Sequence, residues 1–319
     1  MKNSNNTAIS GLDRGSVVTV GMFDGVHAGH RHILRLLKEV AERGGYEPVV
    51  VTFDRHPREV LGNGAAGLRV LSTAEERYEA IRSCGIRHIE VCHFTHETAQ
   101  LSACRFAREF LVDRLNMKAL VLGYDNMFGS KANNDFDQLP SLARECGFDI
   151  VTDTAVTMEG VEVSSTLIRR LLADGDVRTV SAMLERPYEL SGTIAHGRQV
   201  GRTIGFPTAN VQIAEAGKVV PKEGVYAVDV FMEGEGTPVR AMANLGPQPT
   251  FGCESPTFEV HLLGVNRDCY GSVLRVLFLD RLRDTRRFDS VDALVAQLER
   301  DKDRTLKLRI GDKGTMNKE

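Results

Sequence analysis

The sequence predicts an α/β domain built on a parallel sheet, followed by a small six-stranded antiparallel β-barrel with a C-terminal helix. Three observations predict it. Through the first half, short apolar runs alternate with amphipathic segments of helical period, the βαβ rhythm of a sheet covered on both faces. After about Leu184 the rhythm becomes strand, turn, strand, punctuated by Gly and Pro at the spacing of a small barrel. The chain has 319 residues, enough for two domains with a core each.

Each element follows from its local pattern. VVTV (Val17 to Val20) is a short β-branched strand bounded by Gly21. A helix begins near Ala28; from His32 to Arg43 it carries an apolar stripe at Ile33, Leu36, Leu37 and Val40, and Gly44-Gly45 closes it. PVVVTF (Pro48 to Phe53) is a buried-strand run. Ser72 to Ser83 reads as a helix, His88 to Phe94 as a strand, and Ser102 to Leu115 as a second amphipathic helix. ALVLG (Ala119 to Gly123) is a buried strand, Leu139 to Cys146 a helix ended by Gly147, and Phe148 to Thr154 the last strand of this half. Sheets of this kind bind ligands at the carboxyl ends of their strands.

The second half gives six strand segments: YELSGTI, FPTANVQI, GVYAVDVFM, VRAMANLG, TFEVHLLG and SVLRVLFLDRL. Ser290 to Asp301 reads as one closing helix with Ser290 as N-cap. The expected boundaries are a flexible tail over 1–16, an α/β domain over 17–185, a barrel domain over 186–308 and a second flexible tail over 309–319.

Composition excludes several classes of partner. The net charge is −3, so nothing in the total favours nucleic acid or an anionic membrane. Six scattered cysteines with no C-x-x-C pair read as free thiols in a reducing compartment. MKNSNNTAIS lacks the apolar core of a signal peptide, and no later segment is long and apolar enough to span a bilayer. A cytoplasmic location is expected; whether the chain forms a homo-oligomer is left open.

Three stretches carry chemistry. In GMFDGVHAGH (Gly21 to His30) two histidines sit where a strand turns into a helix. Free N–H groups and the positive end of the helix dipole favour an anion there, and glycines let the backbone approach it. His27 and His30, about a turn apart, suit one phosphate; taken alone, surface histidines beside a tight turn are the plainer reading, and a metal site has no evident third ligand nearby. VSSTLIRRLLADG (Val163 to Gly175) opens a helix with hydroxyls, Ser164 or Ser165 being a natural N-cap, and Arg169 lies one turn in. Capping is the plainer role, and a polyphosphate also fits. GRQVGRTIGFPTANV (Gly197 to Val211) joins two barrel strands through Gly197, Gly201 and Gly205. Thr208 and Asn210 follow in extended chain, so their hydroxyl and amide oxygen point the same way. They suit Mg²⁺ or simply form a polar strand face. In TFEVHLLG, Phe258, Val260 and Leu262 share one face, and Glu259 and His261 the other.

These motifs carry a resemblance. G-x-F-D-G-x-H-x-G-H followed far downstream by S-S-T-x-x-R resembles the adenylyltransferase module of bacterial bifunctional riboflavin kinase/FAD synthetases, as do TFDRHPREVL and GYDNMFG. G-R-T-x-G-F-P-T-A-N, GVYAV, NLGPQPTFG, FEVHLL and YGSVLRVLFL are similar to the family's riboflavin kinase module. The resemblance runs from about Val17 to Asp301. It implies a Rossmann-like nucleotidyltransferase domain and a six-stranded barrel, with ATP, riboflavin and FMN as substrates and FMN and FAD as products.

The resemblance also implies residue roles. His27, His30 and Arg169 serve catalysis of adenylyl transfer; Gly21, Phe23, Asp24, Gly25, Gly29, Ser164, Ser165 and Thr166 line the ATP and its phosphates; Asp125 and Asn126 lie at the flavin or nucleotide edge. In the kinase module Gly197, Gly201 and Gly205 cover the nucleotide, Thr208 and Asn210 hold Mg²⁺, and Glu259 is the general base. Two other readings stay open: a kinase whose first module is only a scaffold, and a flavin-binding sensor without catalysis.

Overall fold

In the computed structural model the described residues are 12–56, 60, 69–123, 135–154, 156–158, 160–195, 204–246, 257–265 and 269–308. Of the tail expected over 1–16, residues 1–11 lie outside them, as does the tail expected over 309–319; Leu12 is buried in the core and Ser16 begins a strand. The chain forms two compact units, residues 1–165 and 166–319.

The first unit is a five-stranded sheet in the order β3-β2-β1-β4-β5, parallel throughout. Its strands are β1 (Ser16–Val20), β2 (Glu47–Phe53), β3 (His88–Cys92), β4 (Met117–Leu122) and β5 (Asp149–Thr152). Alternate residues of the apolar runs enter two cores, as the two-residue strand period requires. Val18, Val20, Val49, Val51, Leu120 and Leu122 pack with Phe106, Leu111, Leu115 and Leu142. Val17, Val50, Ala119 and Val121 pack with Leu34, Leu37, Ala41 and Ile81. The latter come from α1 (Ala28–Gly44) and α2 (Ala74–Ser83). α1 ends on Gly45, whose φ of 68° is the left-handed stop that glycine permits. α2 starts two residues later than its pattern suggested, because Thr73 and Glu76 form a capping box.

The helix expected over Ser102 to Leu115 is not one regular helix. Beyond a short α3 (His96–Ala99), α4 (Ala103–Phe106) runs into a π-helical segment, Ala107–Val112. Ala107, Leu111 and Leu115 are all fully buried in the same core. Their spacing in fours drifts around a 3.6-residue helix, and the wider π turn keeps them on the core side. α5 (Leu139–Cys146) precedes β5, and a two-stranded hairpin that the sequence did not announce, β6 (Thr157–Met158) with β7 (Val161–Glu162), follows it.

The second unit contains α6 (Ser165–Asp174) from Thr166 onward, α7 (Val177–Leu184) and a closed antiparallel barrel. The six strands are those expected: β8 (Tyr188–Ala195), β9 (Ala209–Ile213), β10 (Gly224–Met232), β11 (Val239–Leu245), β12 (Phe258–Leu262) and β13 (Val273–Arg283). They close in the order β10-β11-β12-β9-β8-β13. The barrel core is aromatic: Phe278 lies 5.2 Å from Tyr226, 6.2 Å from Phe258 and 6.5 Å from Tyr188, ring centre to ring centre. α8 (Val291–Lys307) is capped by Ser290 as expected but runs six residues past Asp301. Buried Asp301 pairs with Arg283 at 2.8 Å, and Arg240 donates to the carbonyls of Thr305 and Leu308, so the extra turns are held by the barrel. Among the described residues no helix is long and apolar enough to cross a membrane.

Candidate functional sites

The first site grows from the carboxyl end of β1, where the strand order reverses between β2 and β4. The chain leaves β1 through a contorted turn: Phe23, Gly25 and Val26 all have positive φ, at 52°, 82° and 43°. Gly25 tolerates this; a β-branched Val26 does so only because its surroundings over-determine it. Asp24 supplies much of that constraint. Its buried carboxylate accepts the Leu71 N–H at 2.9 Å and the Ser72 N–H at 3.1 Å, and Ser72 Oγ accepts the Gly25 N–H at 3.0 Å. Ser165 Oγ donates to the Asp24 carbonyl at 2.9 Å. α6 begins at Ser165, so Ser164 precedes the helix and the Ser165 hydroxyl proton is committed to the turn.

His27 is the N-cap of α1. Its Nδ1 accepts the His30 backbone N–H at 3.4 Å, which leaves Nε2 as the donor. The two imidazoles stack with ring centres 3.7 Å apart, and Phe23 lies 5.1 Å from His30. Nδ1 of His30 is buried with no hydrogen-bond partner among the described residues. Burial, then the neighbouring His27, holds the His30 pKa well below 6.5, so the ring is neutral at neutral pH. The glycines clear space for these rings: a Cβ on Gly29 would lie 3.2 Å from the His27 imidazole, and one on Gly21 3.1 Å from the Phe23 ring. The arrangement presents imidazole donors at a helix amino end, a setting that attracts an anion.

Thr166 is exposed and Arg169 half-buried, both on α6 in the second unit. Asp125 and Asn126 lie outside the described residues. Cys92 and His93 form a strand end, with His93 paired to Asp54. Among the described residues no three His, Cys, Asp or Glu side chains gather as a metal cage.

The second site is a row across the outer face of the barrel. Phe258, Val260 and Leu262 are buried inside, so Glu259 and His261 stand on the outer face, as their alternation predicts. The register places Glu259 opposite Asn210 of β9 on one side and opposite Asn244 of β11 on the other. Directly opposed residues share a face with Cβ atoms about 5 Å apart. The carboxylate is therefore flanked by two amides. Thr208 lies just ahead of β9, half-buried. The donor set of hydroxyl, amide and carboxylate oxygens fits a hard divalent cation such as Mg²⁺. Gly205, with φ 81°, lies in the turn before Phe206; Gly197 and Gly201 fall outside the described residues. Sequence reasoning missed Asn244. Its segment NLGPQPTFG was legible, but only strand register shows that it stands beside Glu259.

Fold and site define a two-module protein: a parallel α/β unit with an anion-suited turn at its switch point, and a β-barrel with a carboxylate–amide row. Comparison with known proteins agrees. A FAD synthetase family model matches residues 10–167 and a riboflavin kinase model matches residues 184–309. The chain is 38% identical to the bifunctional riboflavin kinase/FMN adenylyltransferase of Escherichia coli (strain K12), over 90% of each chain. It is 33% identical to the protein of the same description from Bacillus subtilis (strain 168), over 92% of each. A crystal structure from Streptococcus pneumoniae described as a macrolide-efflux protein superposes with a TM-score of 0.85 at 34% identity, covering 92% of this chain and 94% of that one. The chain belongs to the bifunctional riboflavin kinase/FMN adenylyltransferase family.

Proposed function

We propose that the chain makes FMN and then FAD: its barrel phosphorylates riboflavin with ATP, and its α/β unit transfers the adenylyl group of ATP to FMN, releasing pyrophosphate. The observation that carries this reading is the Glu259–Asn210 pair across β9 and β12, in a chain whose other unit stacks two imidazoles at a helix start.

Phosphoryl transfer to riboflavin needs a base, because the nucleophile is a neutral ribityl hydroxyl. Glu259 takes that proton as the oxygen attacks the γ-phosphorus of ATP and ADP leaves. Thr208 and Asn210 hold Mg²⁺, which when bound neutralises charge on the phosphates. The Gly197, Gly201 and Gly205 loop covers the nucleotide. Adenylyl transfer needs no such base. The FMN phosphate oxygen is already anionic, so alignment and charge neutralisation suffice as it attacks the α-phosphorus. His27 Nε2 and His30 donate to the ATP phosphates, with the turn from Gly21 to Gly29 shaping their approach. Ser164, Thr166 and Arg169 serve the leaving pyrophosphate, Ser165 holds the Asp24 turn, and Asp125 and Asn126 lie at the flavin or nucleotide edge. Five described cysteines are free thiols, which supports a cytoplasmic location.

Two variants test the division of labour. Glu259→Gln is expected to lower FMN formation by about 10²–10⁴-fold, the usual worth of a general base, while FAD formation from supplied FMN persists. His30→Ala is expected to do the reverse, by about 10²-fold or more. Equal damage to both activities in either variant would contradict the two-site reading.

A further inference from the structure

His261 stands outside the roles assigned above, and among the described residues its side-chain hydrogen bond and its ring contact both lead to one segment. Its Nδ1 lies 2.7 Å from the carbonyl oxygen of Pro207. A carbonyl only accepts, so Nδ1 carries the proton. Its ring also lies 5.2 Å from that of buried Phe206. Phe206 and Pro207 are the two residues before Thr208. The ladder pairs Glu259 with Asn210 and Val260 with Ala209, and Thr208 is the residue just ahead of β9. Glu259 and His261 are thus two residues apart on one outer strand face, about 7 Å along the strand. The strand that carries the carboxylate also grips the segment that carries the hydroxyl and amide.

We propose that His261 is a positioning residue for phosphoryl transfer: its Nδ1–H holds the Pro207 carbonyl and so sets Thr208 and Asn210 in register with Glu259. This rests on the reading of Thr208 and Asn210 as Mg²⁺ ligands. Residues that orient metal ligands typically cost 10–100-fold in metal affinity when removed. His261 is not itself a ligand in this account. It keeps Thr208, which lies beyond the last ladder pair of β9, from turning away.

The test uses the full chain with His261→Ala and His261→Asn, against Thr208→Ala and Glu259→Gln. Asparagine carries its side-chain N–H at the same bond separation from Cβ as Nδ1, so it retains the donor and loses the ring. One readout is Mn²⁺ binding with ADP present, followed by water proton relaxation; the fraction lost in Thr208→Ala reports this site. The other is the Mg²⁺ concentration that half-saturates FMN formation. His261→Ala is expected to weaken both by about 10–100-fold at unchanged riboflavin KM, and His261→Asn to restore most of the loss. Wild-type values in His261→Ala would overturn the proposal. Equal weakening in both variants would also overturn it, because the ring and not the hydrogen bond would then matter. Full FMN formation by Glu259→Gln would instead remove the underlying reading of the site.

Discussion

At the residue scale, the first site shows how polar side chains divide their donors and acceptors between fold and ligand. The residue types were legible in GMFDGVHAGH, and so was their place at a strand-to-helix turn. Their hydrogen-bond commitments were not. His27 and His30 read as two equivalent donors, yet His27 spends Nδ1 on capping α1, and burial keeps His30 neutral. That neutrality has a pH signature. Above pH 6.5 the imidazole is neutral in folded and unfolded chains alike. Below it the unfolded chain takes the proton first, so stability falls as pH drops from about 6.5 towards the lower folded value. Thermal unfolding at a series of pH values is expected to show this loss, and His30→Gln to flatten it. Thr19 makes a simpler prediction. Its hydroxyl is buried on β1 with no partner among the described residues. Thr19→Val is expected to raise stability by about 1 kcal/mol, read as an increase in Tm, since it removes a desolvated polar group at nearly constant shape.

At the element scale, strand-like runs punctuated by Gly and Pro made all six barrel strands legible; clean alternation marked β12, which has one face in the core, whereas β10 is buried along nearly its whole length. The parallel strands were equally legible as apolar runs. Register was not, since it depends on which strands close beside each other. Only the closed order sets Glu259 between Asn210 and Asn244, and only the fold shows His261 reaching Pro207. The π-helical segment also escaped, because its apolar positions are compatible with an ordinary helix. Gly192 tests the β8–β9 contact. A Cβ there would lie 2.2 Å from the Gln212 carbonyl oxygen, which is backbone and cannot rotate away. Gly192→Ala is expected to cost about 1–3 kcal/mol in denaturant unfolding. Because β9 carries Asn210, FMN formation is expected to fall more than FAD formation from supplied FMN.

At the scale of the whole molecule, one chain joins two units of different class, each with a site suited to a different nucleophile. The barrel offers a carboxylate for a neutral hydroxyl. The α/β unit offers donors without a base, enough for a phosphate that is already an anion. The product of the first reaction is the substrate of the second, so the order of appearance of the flavins tests the account most directly. Pure protein would be incubated with riboflavin, ATP and Mg²⁺, and the flavins separated by chromatography over time. The account predicts that FMN rises first and is then converted to FAD. FMN accumulating without FAD would contradict it, and would mean that the stacked imidazoles of the first unit do not serve adenylyl transfer.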